Sequence, residues 1–562
     1  MSSSGQSSEA SRLKTEGNSL FTRNDFTGAY EKYTEALKHD DKNAVLYCNR
    51  AACSLGLNRS VASYKTLSSQ ATQLDPAYTK AWGRLANARA GLNRPDQAVE
   101  AWERAVGAFP AENLTAAQQK QKEQYQGELA AAKAKLDDLL AHPREPQGIV
   151  RLQDGDQLPW NRAAAMLPEL QRTGVWASSA WVADYTYQEW KRALSAMKEG
   201  RVMHTSRGAG YFGRQGVVEG LTNAIIADPR VFHISDQDFL TMYNRQMMFE
   251  IAQTKAWTEN GSRDVMKQVP ERLRAEGWDV VRPALSLTVR GWIMRAFLED
   301  NLKNNVVTAL DFYTSALEVL QWGQELYKDV PFSEKGQIFQ PTFIRGVKSL
   351  RLDAFMKAYT KERSANPKYS LDELLAGAQE LLDELVGAPT QPQTVDDYAF
   401  ILAFHRYPTG QAHAIRGFYY NEKARALRGT VQGLSRAVVD LYLEATKAYT
   451  EASACYPPDE ESYPWYLHCA LQAMWESVGQ VKCLLALLDS MKKSIVLVKR
   501  IWEFGANWTS GPNSTPGFVV HLEKDMMLRD QLLEKMRRGE INRDSLVSLQ
   551  GDVIIRASNA WA

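Results

Sequence analysis

The stretch AYEKYTEA, residues 29–36, begins and ends with a small residue and has an aromatic residue four positions after the first. The same order returns in AVEAWERAVGAFP, residues 98–110, which ends in a proline. A looser copy lies between them at residues 64–76, so the motif recurs about every 34 residues. The recurring positions are Ala29, Tyr33 and Ala36; Tyr64, Ala71 and Pro76; and Ala98, Trp102, Ala105 and Pro110.

This period predicts three stacked pairs of antiparallel helices over residues 11–110. Small residues let two helices approach closely where they cross, and the aromatic residue fills the gap to the next pair. Gly17 is predicted at the tight contact of the first pair, and Trp82 at the start of the third. The second pair is the loosest copy, because Ala51 replaces the glycine there.

The rest of the chain is also predicted to be mainly helical, which makes the fold class all-α. Residues 111–141 are rich in Ala, Gln, Lys and Glu and are typical of a solvent-facing helix that caps a repeat array. The other predicted segments are a disordered N-terminus (1–10), a linker (142–160), a large helical domain of unknown type (161–505), one degenerate repeat-like hairpin within it (near 426–459), and a loop, short helix and tail (506–562).

The composition is typical of a folded protein, and its charge balance argues against some classes of partner. The 67 Lys and Arg residues nearly balance the 66 Asp and Glu residues, so no global field favours nucleic acid or an anionic membrane. No run of apolar residues is long enough to span a bilayer, and we expect a cytoplasmic protein. Five scattered cysteines without a CxxC pair predict reduced thiols rather than disulfides or a metal site.

Polar residues on the first helix of each pair form the candidate binding site. Lys14 and Asn18 are one helical turn apart in the first pair, as are Lys80 and Arg84 in the third, and Asn49 lies in the second. Stacking should bring all five into one concave groove. Three cations and two amides are suited to a doubly negative ligand, such as a C-terminal aspartate with its free carboxylate. Taken singly, each of these residues would more often be an ordinary solvated side chain.

Residues 11–141 resemble the tetratricopeptide repeats of co-chaperones. All five groove residues match the carboxylate clamp with which that family binds the C-terminal Glu-Glu-Val-Asp of cytosolic heat-shock chaperones of the Hsp70 and Hsp90 classes. The resemblance implies that Lys14, Asn18 and Asn49 hold the terminal carboxylate, and that Lys80 and Arg84 hold the aspartate side chain and the peptide before it.

Other motifs carry less weight. Gly208, Gly210 and Gly213 spell GxGxxG, but no buried strand precedes them, and a glycine-rich turn is the preferred interpretation over a nucleotide site. His204 with Ser206, and His233 with Asp236, are the remaining candidates for catalytic pairs. No common hydrolase, metalloprotease or P-loop motif is present, and we expect neither an enzyme nor a bound cofactor or metal.

The sequence therefore predicts an adaptor that binds the acidic C-terminal peptide of an Hsp70- or Hsp90-class chaperone, with a second protein partner for its C-terminal region. Two alternatives stay open. The repeats could be a general scaffold for an internal or helical segment of another protein, or residues 161–504 could hold an enzyme that the repeats deliver to chaperone clients.

Overall fold

The structure is a computed structural model that describes most of the chain. The described residues are 3–56, 61–91, 95–110, 112–141, 155–205, 208–234, 236, 238–258, 261–361, 369–429, 435–509, 516–550 and 553–556. They are overwhelmingly helical, so the all-α fold class is confirmed. None of the helices among these residues is long and apolar enough to cross a membrane.

Seven helices form the N-terminal array. They are α1 (Ser3–Thr22), α2 (Phe26–His39), α3 (Ala44–Gly56), α4 (Val61–Leu74), α5 (Thr79–Gly91), α6 (Pro95–Gly107) and α7 (Ala116–Ala141). Each helix packs against the next one along the chain. Because α1 begins at Ser3, the predicted disorder of residues 1–10 is wrong over residues 3–10.

The middle of the chain continues with helices and one hairpin. Its elements are α8 (Pro159–Thr173), α9 (Ala180–Lys198), β1 (Arg201–Thr205), β2 (Gly208–Phe212), α10 (Val217–Ala227), α11 (Phe239–Thr254), α12 (Ser262–Glu276), α13 (Trp278–Asn301), α14 (Val306–Leu326), α15 (Phe332–Lys335) and α16 (Pro341–Lys361). Most of the predicted linker, residues 142–154, lies outside the described residues, and α8 begins before its predicted end.

The C-terminal part is a further series of packed helices with a small sheet. It consists of α17 (Leu371–Glu384), α18 (Asp397–Ile401), a π-helical turn (Leu402–Arg406), α19 (Tyr407–Arg428), α20 (Arg436–Ala454), α21 (Ser462–Glu476), β3 (Gly479–Gln480), α22 (Val481–Trp502), α23 (Phe518–Arg537), β4 (Leu546–Gln550) and β5 (Val553–Arg556). The strands form one antiparallel sheet in the order β3-β4-β5, so the predicted tail contains strands.

The chain divides into two compact units, and both are discontinuous in sequence. It comprises residues 1–147 and 256–322, and the second comprises residues 148–255 and 323–562. The sequence interpretation had placed 256–322 in the large C-terminal domain. In the first unit, Arg263 of α12 donates a hydrogen bond from Nη1 to the Tyr30 hydroxyl of α2 at 3.3 Å.

In the N-terminal array, small residues allow the close helix contacts that the period predicted. Ala29 and Ala36 of α2 are fully buried, and the Tyr33 ring lies against the backbone of Gly17 on α1. The third pair repeats this arrangement with a different partner, because Tyr125 of α7 lies against Gly83 of α5. A Cβ at either glycine would lie 2.7 Å from a tyrosine ring atom, so glycine is required for contact at this distance.

The second unit has its own core, formed chiefly by α20 to α23. Val438, Leu471, Leu484 and Leu488 are among its buried residues. Helices α19 and α20 form an antiparallel pair in which Tyr449 packs against Gly417. Residues 430–434, between these helices, lie outside the described residues. Whether this pair is a degenerate repeat stays a prediction.

Candidate peptide-binding site

The five candidate residues lie on the first helices of the three hairpins. Lys14 and Asn18 are on α1, Asn49 is on α3, and Lys80 and Arg84 are on α5. Lys80 and Asn18 are exposed, and the other three are partly buried. The structure therefore places the cations and amides where the period predicts them.

Hydrogen bonds join α1 to α3 at the two asparagines. Asn49 Nδ2 donates to Asn18 Oδ1 at 3.2 Å, and the Tyr33 hydroxyl donates to the same oxygen at 2.7 Å. The acceptor atom of Asn18 is therefore occupied from two sides. Asn18 and Asn49, which are 31 residues apart in sequence, are direct neighbours in the fold.

Arg84 joins α5 to α3. Its Nη1 donates to the backbone oxygen of Cys48 and lies 2.8 Å from the Cys48 sulfur. Cys48 immediately precedes Asn49 in α3, so Arg84 contacts the helix that carries the second asparagine of the site. Burial raises the pKa of the Cys48 thiol, although nearby Arg84 acts in the opposite direction.

The site retains cationic groups for a ligand. Within the described part of the chain, none of Lys14, Lys80 and Arg84 forms an ion pair with a carboxylate. A positive charge that is not neutralised internally is available to an anion, and the partial burial of Lys14 and Arg84 reduces the screening of their charges by solvent.

Two contributors were not among the predicted site residues. The sequence predicts only a packing role for Tyr33 and only a reduced thiol for Cys48. The aromatic position of the motif could have drawn attention to Tyr33, since a tyrosine there carries a hydroxyl that phenylalanine lacks. No sequence signal indicated Cys48.

Among the described residues, the other candidates have contacts that differ from those of the predicted sites. Gly208 and Gly210 lie in β2, paired with β1, so they belong to a strand and not to the expected turn. His233 Nδ1 is hydrogen-bonded to the Val231 oxygen at 2.8 Å, and Asp236 lies 3.7 Å from the Lys198 ammonium. Ser206 and the His204 side chain lie outside the described structure. No cluster of metal-ligating side chains occurs among the described residues.

Comparison with known proteins finds relatives that are similar to this chain over about 100 residues. The chain is 33% identical over 115 residues to small glutamine-rich tetratricopeptide repeat-containing protein 2 of Saccharomyces cerevisiae, which covers 20% of this chain and 33% of that protein. It is 36% identical over 102 residues to the heat-shock protein cognate (HSC) co-chaperone sgt12 of Aspergillus fumigatus, covering 18% and 29%. The N-terminal repeats are therefore similar to the repeats of tetratricopeptide co-chaperones.

The similarity is confined to part of each protein. The chain spans about a third or less of the length of these two curated relatives. No protein-family model matches the chain. Among solved structures, the first TPR of Spaghetti (RPAP3) bound to HSP90 peptide SRMEEVD is 27% identical and covers 23% of this chain and 95% of that one, with a TM-score of 0.21.

Proposed function

We propose that the tetratricopeptide repeats of this chain bind the acidic C-terminal peptide of an Hsp70- or Hsp90-class chaperone, with Lys14, Asn18, Asn49, Lys80 and Arg84 as the carboxylate clamp. The proposal is supported by the polar contacts and the unneutralised charges on the three first helices. The amides of Asn18 and Asn49 are in contact, Arg84 donates to the backbone oxygen of Cys48 on the same helix as Asn49, and the three cations have no carboxylate partner among the described residues.

The chemistry of the site suits a chain terminus better than an internal segment. A C-terminal aspartate carries two carboxylates close together, and each charge-assisted hydrogen bond to one of them contributes about 1.5–3 kcal/mol. Ordering a flexible peptide costs a comparable total. A dissociation constant near micromolar, about 8 kcal/mol, is therefore the expected affinity.

The wider role that we propose is that of a cytoplasmic adaptor rather than an enzyme. The relatives matched by the chain include proteins named as co-chaperones and heat-shock proteins. In this proposal the N-terminal repeats dock on the chaperone, and the second unit engages another protein.

Calorimetry tests the clamp directly. The full chain is titrated with a synthetic peptide ending in Glu-Glu-Val-Asp and with the same peptide amidated at its C-terminus. Amidation removes one of the two carboxylate charges, so we expect at least about a tenfold loss of affinity. Equal affinity for the two peptides would contradict the clamp and favour a general scaffold that reads an internal segment.

Charge reversal at Lys80 provides the second test. Lys80→Glu should weaken binding of the free-acid peptide by about a hundredfold, because it replaces an attraction by a repulsion. Lys38→Glu is the matched control: it changes the net charge equally, but Lys38 is exposed on α2, outside the three first helices. If both variants weaken binding to the same extent, the effect comes from overall charge and not from the clamp.

A further inference from the structure

The side-chain amide of Asn18 is held in one of its two orientations. Its Oδ1 accepts hydrogen bonds from the Tyr33 hydroxyl at 2.7 Å and from Asn49 Nδ2 at 3.2 Å. A carbonyl oxygen with two donors has used both lone pairs. Asn18 Nδ2 makes no hydrogen bond within the described part of the chain, so both of its N–H groups remain available.

This orientation decides what Asn18 offers to an anion. An amide presents either an acceptor or a pair of donors to a given point, and a half-turn about its last bond exchanges them. With the oxygen turned towards Tyr33 and Asn49, the donors are left for a carboxylate. The reverse orientation would present the amide oxygen to a carboxylate, which is repulsive.

We propose that Tyr33 is a positioning residue of the clamp, whose hydroxyl fixes the Asn18 amide with its donors directed at the ligand carboxylate. The proposal deepens the proposed function and rests on it. Asn49 alone is a weaker determinant, because its own amide can also turn to exchange donor and acceptor. A phenol oxygen has a fixed place on its ring but can both donate and accept. The side chain of Asn49 is also hydrogen-bonded to the Tyr33 hydroxyl, which leaves the hydroxyl proton for Asn18 Oδ1.

The surroundings of Tyr33 suit this role. The side chain is only 1% exposed, and its ring lies against Gly17, one residue before Asn18, so it cannot move away from the amide. Burial raises the pKa of the Tyr33 hydroxyl to about 12, so this hydroxyl keeps its proton and remains a donor at physiological pH. The hydrogen bond therefore persists across the pH range in which the peptide carboxylates are ionised.

Tyr33→Phe tests the proposal, because it keeps the ring and removes the hydroxyl. We expect the affinity of the full chain for the free-acid Glu-Glu-Val-Asp peptide to fall about fivefold, the ordinary effect of one lost hydrogen bond. Tyr125→Phe is the matched control. Tyr125 lies against Gly83 as Tyr33 lies against Gly17, but its hydroxyl accepts a hydrogen bond from Gln121 Nε2 at 2.8 Å and contacts no clamp amide. Removing the Tyr125 hydroxyl should leave the affinity for the free-acid peptide within about twofold of that of the unmutated chain.

A double-mutant cycle shows whether Tyr33 acts through Asn18. In an Asn18→Ala background there is no amide to orient, so Tyr33→Phe should then change the affinity by less than about twofold. An equal fivefold loss in both backgrounds would overturn the proposal, as would equal effects of Tyr33→Phe and Tyr125→Phe. Failure of the clamp itself is distinguishable, because the unmutated chain would then bind the free-acid and amidated peptides equally.

Discussion

Arg230 in the second unit lies among more carboxylates than it can neutralise. Its guanidinium contacts Asp228 at 2.7 Å, Glu460 at 2.5 Å and Glu461 at 3.0 Å, and its central carbon lies 4.0 Å from the ring centre of Trp502. All three carboxylates are buried. Among the described residues, Glu461 Oε2 has no hydrogen-bond partner, whereas its other oxygen accepts from Asn507 Nδ2 at 2.7 Å. One charge of this cluster is therefore poorly compensated.

Replacing Glu461 by glutamine should stabilise the second unit as the pH rises. Burial raises the pKa of the Glu461 carboxyl, so the folded state binds a proton more tightly than the unfolded state does. The contribution of this group to stability is therefore fully present below its ordinary pKa and is lost as pH rises through the raised value. Glu461→Gln removes that loss, and its thermal midpoint should exceed that of the unmutated chain at pH 8 but not at pH 4.

The matched variant at the same cluster should behave in the opposite way. Arg230→Met leaves three buried carboxylates without their cation, and removing one partner of a buried ion pair costs about 3–5 kcal/mol. Its thermal midpoint should fall at pH 8, with partial recovery towards acid as the carboxyls become protonated. A Glu461→Gln variant that is less stable than the unmutated chain at pH 8 would show that this carboxylate is well paired.

Individual side chains of the clamp were predictable, whereas their mutual contacts were not. Lys14 with Asn18, and Lys80 with Arg84, follow from residue type and one-turn spacing alone. The hydrogen bond of Tyr33 to Asn18, and the contact of Arg84 with Cys48, join residues 15 and 36 positions apart. Such contacts depend on how far one helix is rotated against another, which the spacing of residues along a single helix does not specify.

Gly17 shows how a single helix contact supports the site. A methyl group added there would lie 2.7 Å from Tyr33 Cε1, and the tyrosine cannot retreat because it is buried. Gly17→Ala should therefore destabilise the array by about 1–3 kcal/mol, the usual cost of overpacking. It should also weaken peptide binding, since Tyr33 would move relative to Asn18.

Gly127 on α7 is the control for this substitution. It is exposed, and a Cβ there would have no neighbour within 4 Å. Gly127→Ala should stabilise the array by about 0.5–1 kcal/mol, because alanine loses less backbone freedom in a helix. Chemical denaturation of both variants measures the difference. Similar effects of the two substitutions would show that α1 does not approach Tyr33 as closely as the structure describes.

The helices were easier to predict than the short strands. Strong periodicity with small residues at the crossings specifies the hairpins of residues 11–110. Ser370 and Glu373 have the Ser-x-x-Glu spacing of a capping box, and Ser370 caps α17 by accepting hydrogen bonds from Asp372 N and Glu373 N. The hairpin of β1 and β2 was missed because its five-residue strands include two glycines, a residue type that weakens strand propensity.

The discontinuity of the first unit is the feature that sequence patterns predict least. Residues 256–322 belong to the same compact unit as the N-terminal array, although residues 148–255 between them belong to the second unit. Helix periodicity shows which face of α12 or α13 is apolar, but it does not show which other helices that face packs against. A fragment comprising residues 161–562 therefore separates residues 256–322 from their unit, and binding experiments require the full chain.

Hydrogen exchange on the full chain should locate peptide binding in the first unit. The free-acid Glu-Glu-Val-Asp peptide, at about a hundred times its dissociation constant, stabilises the bound state by about 2.7 kcal/mol. Slower exchange is expected in α1, α3 and α5, which hold the clamp, and not in α19 to α22 of the second unit. The amidated peptide at the same concentration is the control, and high salt should reduce the protection because the charges at the groove are screened. Salt-independent protection, or protection centred on the second unit, would mean that the peptide is recognised by another surface through apolar contacts.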